Sequence, residues 1–273
     1  EELAAFYRGG FTKAQILRYW ESECIPARAA KAKAKQGKAK AKAEGRKAPP
    51  RTPASQEEVV KRVSACKVIP VIKIDDVAHA VPLCRALKDG GIDVAEITFR
   101  TSCGPEAIRE VCRDVEGVCV GAGTVLTPQQ VDIAVDNGAD FVVSPGFDQR
   151  VGERCRARKV LYLPGVVTPS EVMAASSRLR LTTLKFFPAS NFGGAGTLKS
   201  YAAVFPGLSF MPTGGVSEAN IADYVSLPNV IAAGGSWMVA DALVKQAAET
   251  GDWSDVVAGA RKASQAANAG AAK

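Results

Sequence analysis

The 273-residue chain is long enough for one large domain or two small ones, and 47% hydrophobic residues support a sizeable core. No apolar run reaches the roughly 18 residues of a membrane-spanning helix. Seven scattered cysteines without a Cys-x-x-Cys pair argue against a disulfide framework and for a reducing compartment, and a lone histidine, His79, leaves little for a Ser-His-Asp triad or a His-rich metal centre.

The net charge of +7 is not spread evenly: residues 1–54 hold thirteen Lys and Arg against five acids, a net of +8, so residues 55–273 sum to −1. Within this N-terminal fifth, Thr12 and Gln15 make a capping box for a short helix whose Ile16, Tyr19 and Trp20 share one face. Such a helix is too short to stand alone in water and needs a surface to dock on. Residues 27–54 follow as Ala/Lys repeats closed by Pro49, Pro50 and Pro53, with no apolar stripe to hold them to a core. This basic low-complexity extension reads as a polycation for an acidic protein, nucleic-acid or lipid surface, or as a solubilising spacer, or as the remnant of an organelle-targeting region.

At Ser55 the pattern changes. Ser55-Gln56-Glu57-Glu58 predicts a helix start, and eight short apolar, β-rich runs follow at βα-unit spacing: 68–74, 94–100, 118–125, 141–145, 161–167, 182–188, 209–213 and 230–236. Asp76, Thr127-Pro128, Thr168-Pro169-Ser170-Glu171 and Ser217-Glu218 mark helix starts; Gly90-Gly91 and Asn137-Gly138 mark ends. His79 falls at the start of a helix, a surface placement. Eight βα units over residues 55–273 predict a (β/α)8 TIM barrel with its site at the C-terminal strand ends. The competing doubly wound dinucleotide fold is disfavoured, because Gly121-Ala122-Gly123 lacks the third glycine of the dinucleotide loop.

Parallel strands covered on both faces should be apolar throughout. Run two breaks that rule: the strand period of two puts Glu96, Thr98 and Arg100 on one face and Ile97 and Phe99 on the other. The apolar face must meet the helices, so the polar stripe points into the barrel, where an unpartnered carboxylate or guanidinium is costly. Run three ends in Gly121-Ala122-Gly123-Thr124, with a hydroxyl at the mouth. Run six carries Lys185 in mid-strand, on one face with Thr183 and Phe187. Burial disfavours a charged amine, and a neutral buried lysine is how Schiff-base nucleophiles arise; a lysine that instead snorkels to solvent is the bland alternative. Glycine pairs at the last two strand ends, Gly214-Gly215 and Gly234-Gly235 before Ser236, offer bare backbone N–H groups of the kind that cradle phosphate.

These residues, in this order, resemble the 2-keto-3-deoxy-6-phosphogluconate (KDPG) / 4-hydroxy-2-oxoglutarate aldolases. The strings carrying the resemblance include Glu96-Ile97-Thr98-Phe99-Arg100-Thr101, Gly121-Ala122-Gly123-Thr124, Val143-Ser144-Pro145-Gly146, Lys185-Phe186-Phe187-Pro188-Ala189, Pro212-Thr213-Gly214-Gly215 and Gly234-Gly235-Ser236-Trp237. They span about residues 57–265 and fall at nearly every strand end. The resemblance implies a class I aldolase of sugar-acid breakdown (Entner–Doudoroff chemistry), a homotrimer in the cytoplasm or, with a processed N-terminus, in a plastid or mitochondrial matrix. It implies Lys185 as the Schiff-base lysine and Glu96 as general acid/base working through a water. It further implies Arg100 and Thr124 as binders of the pyruvyl carboxylate, Pro145 and Phe187 as pocket walls, and Gly214, Gly215 and Ser236 as the phosphate site. Neither a metal nor a cofactor is needed, since the protonated imine is itself the electron sink. Lys73 lies where some relatives carry a basic residue near the substrate.

Two departures stand out. The family string often continues Pro-Ala-Glu, whereas Ser190 follows Ala189 here, so the loop after run six is expected to differ. The extension 1–54 has no counterpart in the resemblance, and it motivates an alternative: an aldolase-like barrel serving as a scaffold or assembly subunit docked through its basic arm.

Overall fold

Strands that are apolar on both faces must be covered on both, and capped helices between consecutive strands do the covering. The computed structural model describes residues 54–271. The expected helix at residues 12–20 and the Ala/Lys stretch up to Pro53 lie outside the described residues. The strands are Val68–Ile72 (β1), Val94–Thr98 (β2), Cys119–Gly123 (β3), Phe141–Ser144 (β4), Leu161–Val166 (β5), Thr183–Phe186 (β6), Ser209–Pro212 (β7) and Ala233–Gly235 (β8). They form one sheet in the order β7-β6-β5-β4-β3-β2-β1-β8, and adjacent strands pair in parallel. The two end strands meet through parallel bridges from Phe210 to Val230 and from Thr213 to Gly234, which brings the sheet round into a (β/α)8 barrel.

The helices are Gln56–Cys66 (α1), Ala80–Asp89 (α2), Gly104–Asp114 (α3), Pro128–Asp136 (α4), Gln149–Ala157 (α5), Pro169–Leu179 (α6), Gly194–Val204 (α7), Ile221–Val225 (α8), Asp241–Thr250 (α9) and Ser254–Ala271 (α10). The cap residues explain most of the starts. Ser55 accepts the Glu58 N–H ahead of α1, Thr127 accepts the Gln130 N–H ahead of α4, and Thr168 with Glu171 completes a reciprocal capping box on α6. Asp76 caps a single 3-10 turn, Val77–His79, ahead of α2, and leaves His79 half-buried. One expected start moves: α8 begins at Ile221, not at Ser217-Glu218. The Asn220 side chain captures the Ser217 N–H (2.8 Å) and donates to the Gly215 carbonyl (2.9 Å), holding 217–220 as a turn in front of the helix. Among the described residues no helix is long and apolar enough to cross a membrane.

Most strands stop one or two residues short of the apolar runs that predicted them. Past the last ladder bonds the runs supply residues that wall a cavity at the barrel mouth, among them Arg100, Thr124, Pro145, Phe187, Thr213 and Ser236. Inside the barrel, β3 is a strand of small residues for a steric reason. A Cβ on Gly121 would lie 2.1 Å from the Phe141 ring, and one on Gly123 would lie 2.3 Å from Glu96 Oε1. The first glycine lets an aromatic ring fill the interior; the second makes room for the carboxylate. Among the described cysteines, Cys66, Cys84, Cys119 and Cys155 are buried and Cys103 and Cys112 half-buried. Burial pushes the Cys84 and Cys155 thiols up to about 12, so they pack as small hydrophobes.

Candidate active site

β2 and β6 are not neighbours in the sheet, so a contact between them can pass only through the barrel interior. Such a contact exists: Lys185 Nζ lies 3.3 and 3.4 Å from the two carboxylate oxygens of Glu96. The side chains are 7% and 1% exposed. The parity expected from the sequence is therefore the observed one, with both polar side chains turned inward and Leu184, Phe186 and Ile97 buried on the other face. Buried charges of opposite sign at this distance neutralise each other where water is scarce, and removing either would strand its partner. Lys185 Nζ also sits 5.3 Å from the centroid of the Phe187 ring, which follows β6.

The pair lies in the wall of a cavity of about 330 Å³ whose lining gathers Glu96, Arg100, Thr124, Pro145, Lys185, Phe187, Gly214, Gly215 and Ser236. Arg100 lies two residues beyond the end of β2, exposed at the mouth, with its Nε 3.1 Å from Thr98 Oγ1. Thr124, just past β3, has φ +58°, a left-handed conformation that a β-branched residue rarely adopts and that costs on the order of 1–3 kcal/mol. The next residue holds it there: Val125 donates its N–H to the Val143 carbonyl (3.1 Å), and its own carbonyl accepts from the buried Ser144 hydroxyl (2.5 Å). Pro145 reaches the rim because Gly165 lets the chains touch; a Cβ there would lie 2.0 Å from the Pro145 carbonyl oxygen.

The opposite rim is made of backbone. Gly214 and Gly215 have φ +95° and +75°, and a Cβ on Gly215 would lie 1.9 Å from Ser190 Oγ. The loop after β6 runs along this segment, with Ala189 donating to the Thr213 carbonyl (2.8 Å) and Ser190 to the Gly214 carbonyl (3.0 Å). The departure at Ser190 thus sits against the glycine pair. Ser236, exposed, follows β8 and opens a 3-10 turn over Trp237–Val239.

Three lining residues lay outside the sequence reading of the site: Val71, Thr213 and Val216. Val71 pairs in register with the inward-facing Glu96 and is the one residue of β1 not fully buried, a signal available only once strand parity is fixed. Thr213 stood in the string Pro212-Thr213-Gly214-Gly215, where the glycines drew attention from it. Its hydroxyl oxygen is buried without a hydrogen-bond partner among the described residues, at a place where a Cβ on Gly234 would lie 2.5 Å from it. Lys73, by contrast, is not in the lining. It is ion-paired with Asp75 (3.0 Å) and Asp241 (3.4 Å), and the hydrogen bond it donates to Asp75 leads the interactions that hold its ammonium above the ordinary lysine range.

A family model described as KDPG and KHG aldolase matches residues 59–258. The 2-dehydro-3-deoxy-phosphogluconate aldolase of Treponema pallidum is 42% identical over 74% of this chain and 92% of its own length. The KHG/KDPG aldolase of Escherichia coli is 41% identical over 73% and 92%. Among solved structures, the 2-keto-3-deoxy-6-phosphogluconate aldolase of Zymomonas mobilis with 3-phosphoglycerate superposes with a TM-score of 0.70 at 38% identity, covering 77% of this chain and 96% of that one. The KDPG aldolase of Legionella pneumophila, with pyruvate captured as a covalent carbinolamine intermediate, gives a TM-score of 0.70 at 36% identity over 74% and 96%. With a barrel closed around a buried lysine–carboxylate pair and with relatives that match over almost their whole length, this chain belongs to the KDPG and KHG aldolase family.

Proposed function

We propose that this chain is a class I aldolase that splits 2-keto-3-deoxy-6-phosphogluconate into pyruvate and glyceraldehyde 3-phosphate through a Schiff base on Lys185. The observation that carries the reading is the Lys185–Glu96 pair, buried in the wall of a cavity that has an arginine on one rim and a glycine pair on the other.

At 3.3 Å the carboxylate of Glu96 can take a proton from the Lys185 ammonium, freeing the amine to attack the keto carbon. Glu96, now the acid, returns that proton to the carbinolamine hydroxyl, which leaves as water and yields the protonated imine. The carboxylate then accepts the proton of the C4 hydroxyl while the C3–C4 electron pair moves into the imine. Glyceraldehyde 3-phosphate departs and an enamine remains. Protonation of the enamine at C3 and hydrolysis of the imine release pyruvate and restore the pair. Arg100 and Thr124 receive the pyruvyl carboxylate, Pro145 and Phe187 wall the reacting carbons, and Gly214, Gly215 and Ser236 receive the phosphate. The unpartnered Thr213 hydroxyl gains a partner among the substrate hydroxyls between those two ends.

Borohydride reduction in the presence of pyruvate tests the assignment. A covalent adduct should map to the peptide containing Lys185, and Lys185→Ala should abolish it; equal trapping by the variant would remove the assignment. Parallel kcat/KM measurements on the gluconate-derived substrate, its galactonate-derived epimer and unphosphorylated 4-hydroxy-2-oxoglutarate rank the substrates. A homotrimer, the assembly expected from the resemblance, is checked by sedimentation. The +8 of residues 1–54 supports an acidic partner for the arm. Binding by the arm should weaken steeply with salt, and flat salt dependence would dismiss it.

A further inference from the structure

We infer that Thr98 is the positioning residue of this site, the group that aims Arg100 at the carboxylate of the substrate. Thr98 is 1% exposed, in β2, two residues from Glu96 on the same face. It is not in the cavity lining, so it acts only through its neighbours. Its hydroxyl oxygen lies 2.9 Å from the Ile72 carbonyl oxygen and 3.1 Å from Arg100 Nε. A carbonyl can only accept and a guanidinium can only donate. The one hydroxyl proton must therefore go to Ile72, and a hydroxyl lone pair must face Arg100. Each partner fixes the direction of the other bond, and the threonine has no alternative orientation that satisfies both.

Arg100 needs such an anchor. It is exposed and lies outside the ladder of β2, so nothing in the strand geometry orients its long side chain. Anchoring through Nε leaves the paired terminal nitrogens for a two-pronged grip on a carboxylate. The backbone on either side of Arg100 is fastened to the same neighbouring segment: Thr98 donates to the Ile72 carbonyl and Thr101 to the Ile74 carbonyl (2.5 Å). Thr101 thereby holds the chain, while Thr98 holds the chain and the guanidinium together.

This inference rests on Arg100 as the carboxylate binder, and the test separates the two. Steady-state kcat and KM for keto-acid cleavage are measured on the full chain and on Thr98→Val, Thr98→Ser, Arg100→Ala and the Thr98→Val/Arg100→Ala double variant. Thr98→Val keeps the shape and removes the hydroxyl. It should raise KM about tenfold with kcat within about threefold, the size of one charge-assisted hydrogen bond. Thr98→Ser, which keeps the hydroxyl, should restore KM to within about twofold of the parent. In the Arg100→Ala background the valine should add nothing, because the group it would release is gone. Should Thr98→Val not fold, Thr98→Cys takes its place, with similar volume and a far weaker acceptor. An unchanged KM in the Thr98 variant, or the same increment with and without Arg100, would overturn the positioning role while leaving Arg100 in place. A flat KM in Arg100→Ala itself would overturn both.

Discussion

The two ends of the cavity are built in opposite ways. At the β2, β3 and β6 end the chemistry is carried by side chains, with Glu96, Arg100, Thr124 and Lys185 held by hydrogen bonds and by a buried ion pair. At the β7 and β8 end it is carried largely by main chain: Gly214 and Gly215 at positive φ, with Ser236 beyond them. The difference fits the role proposed above for each end. Making and breaking carbon–carbon bonds requires groups that accept and return protons, and only side chains supply those. Receiving a phosphate requires several fixed N–H donors close together, and backbone supplies them without ordering long side chains.

The largest expected effect lies at the side-chain end. Lys185→Ala removes the nucleophile and leaves Glu96 as an unpaired buried carboxylate, so kcat should fall by at least about 10⁴-fold. A thermal melt run alongside separates lost chemistry from lost folding. Retention of more than a few per cent of parental kcat would mean that the covalent route does not pass through this residue.

Gly123→Ala strikes the same end through packing alone. The new methyl would stand 2.3 Å from Glu96 Oε1 and 2.7 Å from its Cγ, so the carboxylate must leave its present position beside Lys185. A shift of about an ångström at a reacting group is expected to lower kcat about 10²-fold. If kcat were retained while the melt fell, the glycine would be serving the barrel and not the carboxylate.

How much of each end could be read in the residue order follows from the same contrast. Glu96 and Lys185 were legible because a charged residue in a strand that must be dry is an anomaly, and strand parity told which way each points. Arg100 was legible as a type, but its anchor was not. Thr98 reads as an ordinary strand threonine until the register places its hydroxyl against Ile72 of the next strand. The backbone end was visible only as glycine, which marks a place where a side chain is missing without saying what is gained. The unpartnered hydroxyl of Thr213 beside those glycines went unread, since its lack of a partner depends on β8 closing against it. The start of α8 was misplaced for a related reason: Ser217-Glu218 has the composition of a cap, yet the Asn220 side chain accepts the Ser217 N–H and donates to the Gly215 carbonyl, holding 217–220 as a turn.

Gly215→Ala probes the backbone end. At φ +75° an alanine is strained by about 1–2 kcal/mol, and its Cβ would stand 1.9 Å from the Ser190 Oγ and 2.5 Å from the Ser190 Cβ, a clash that rotating the hydroxyl does not clear. The loop should relax and carry its N–H groups out of place. KM for the phosphorylated substrate is then expected to rise about tenfold, the worth of one charge-assisted hydrogen bond. KM for unphosphorylated 4-hydroxy-2-oxoglutarate should move by less than about twofold, and equal shifts on both substrates would erase the division between the ends.

The smallest effect is expected at Lys73, which tests where the side-chain end stops. It follows β1, close in sequence to the segment that fastens Thr98 and Thr101, and its charge could be taken for a third carboxylate or phosphate contact. Its ammonium is instead engaged by Asp75 and by Asp241 at the start of α9, and it does not line the cavity. An exposed pair of this kind contributes little to stability, since water and salt screen it. Lys73→Ala should therefore leave KM for both the phosphorylated and unphosphorylated substrates within about twofold, at low and at high salt alike. A KM increase that appears only at low ionic strength, and only with the phosphorylated substrate, would show Lys73 steering the phosphate from outside the cavity. The β7–β8 end would then not be the backbone device described above but a mixed one, with a lysine from β1 completing it.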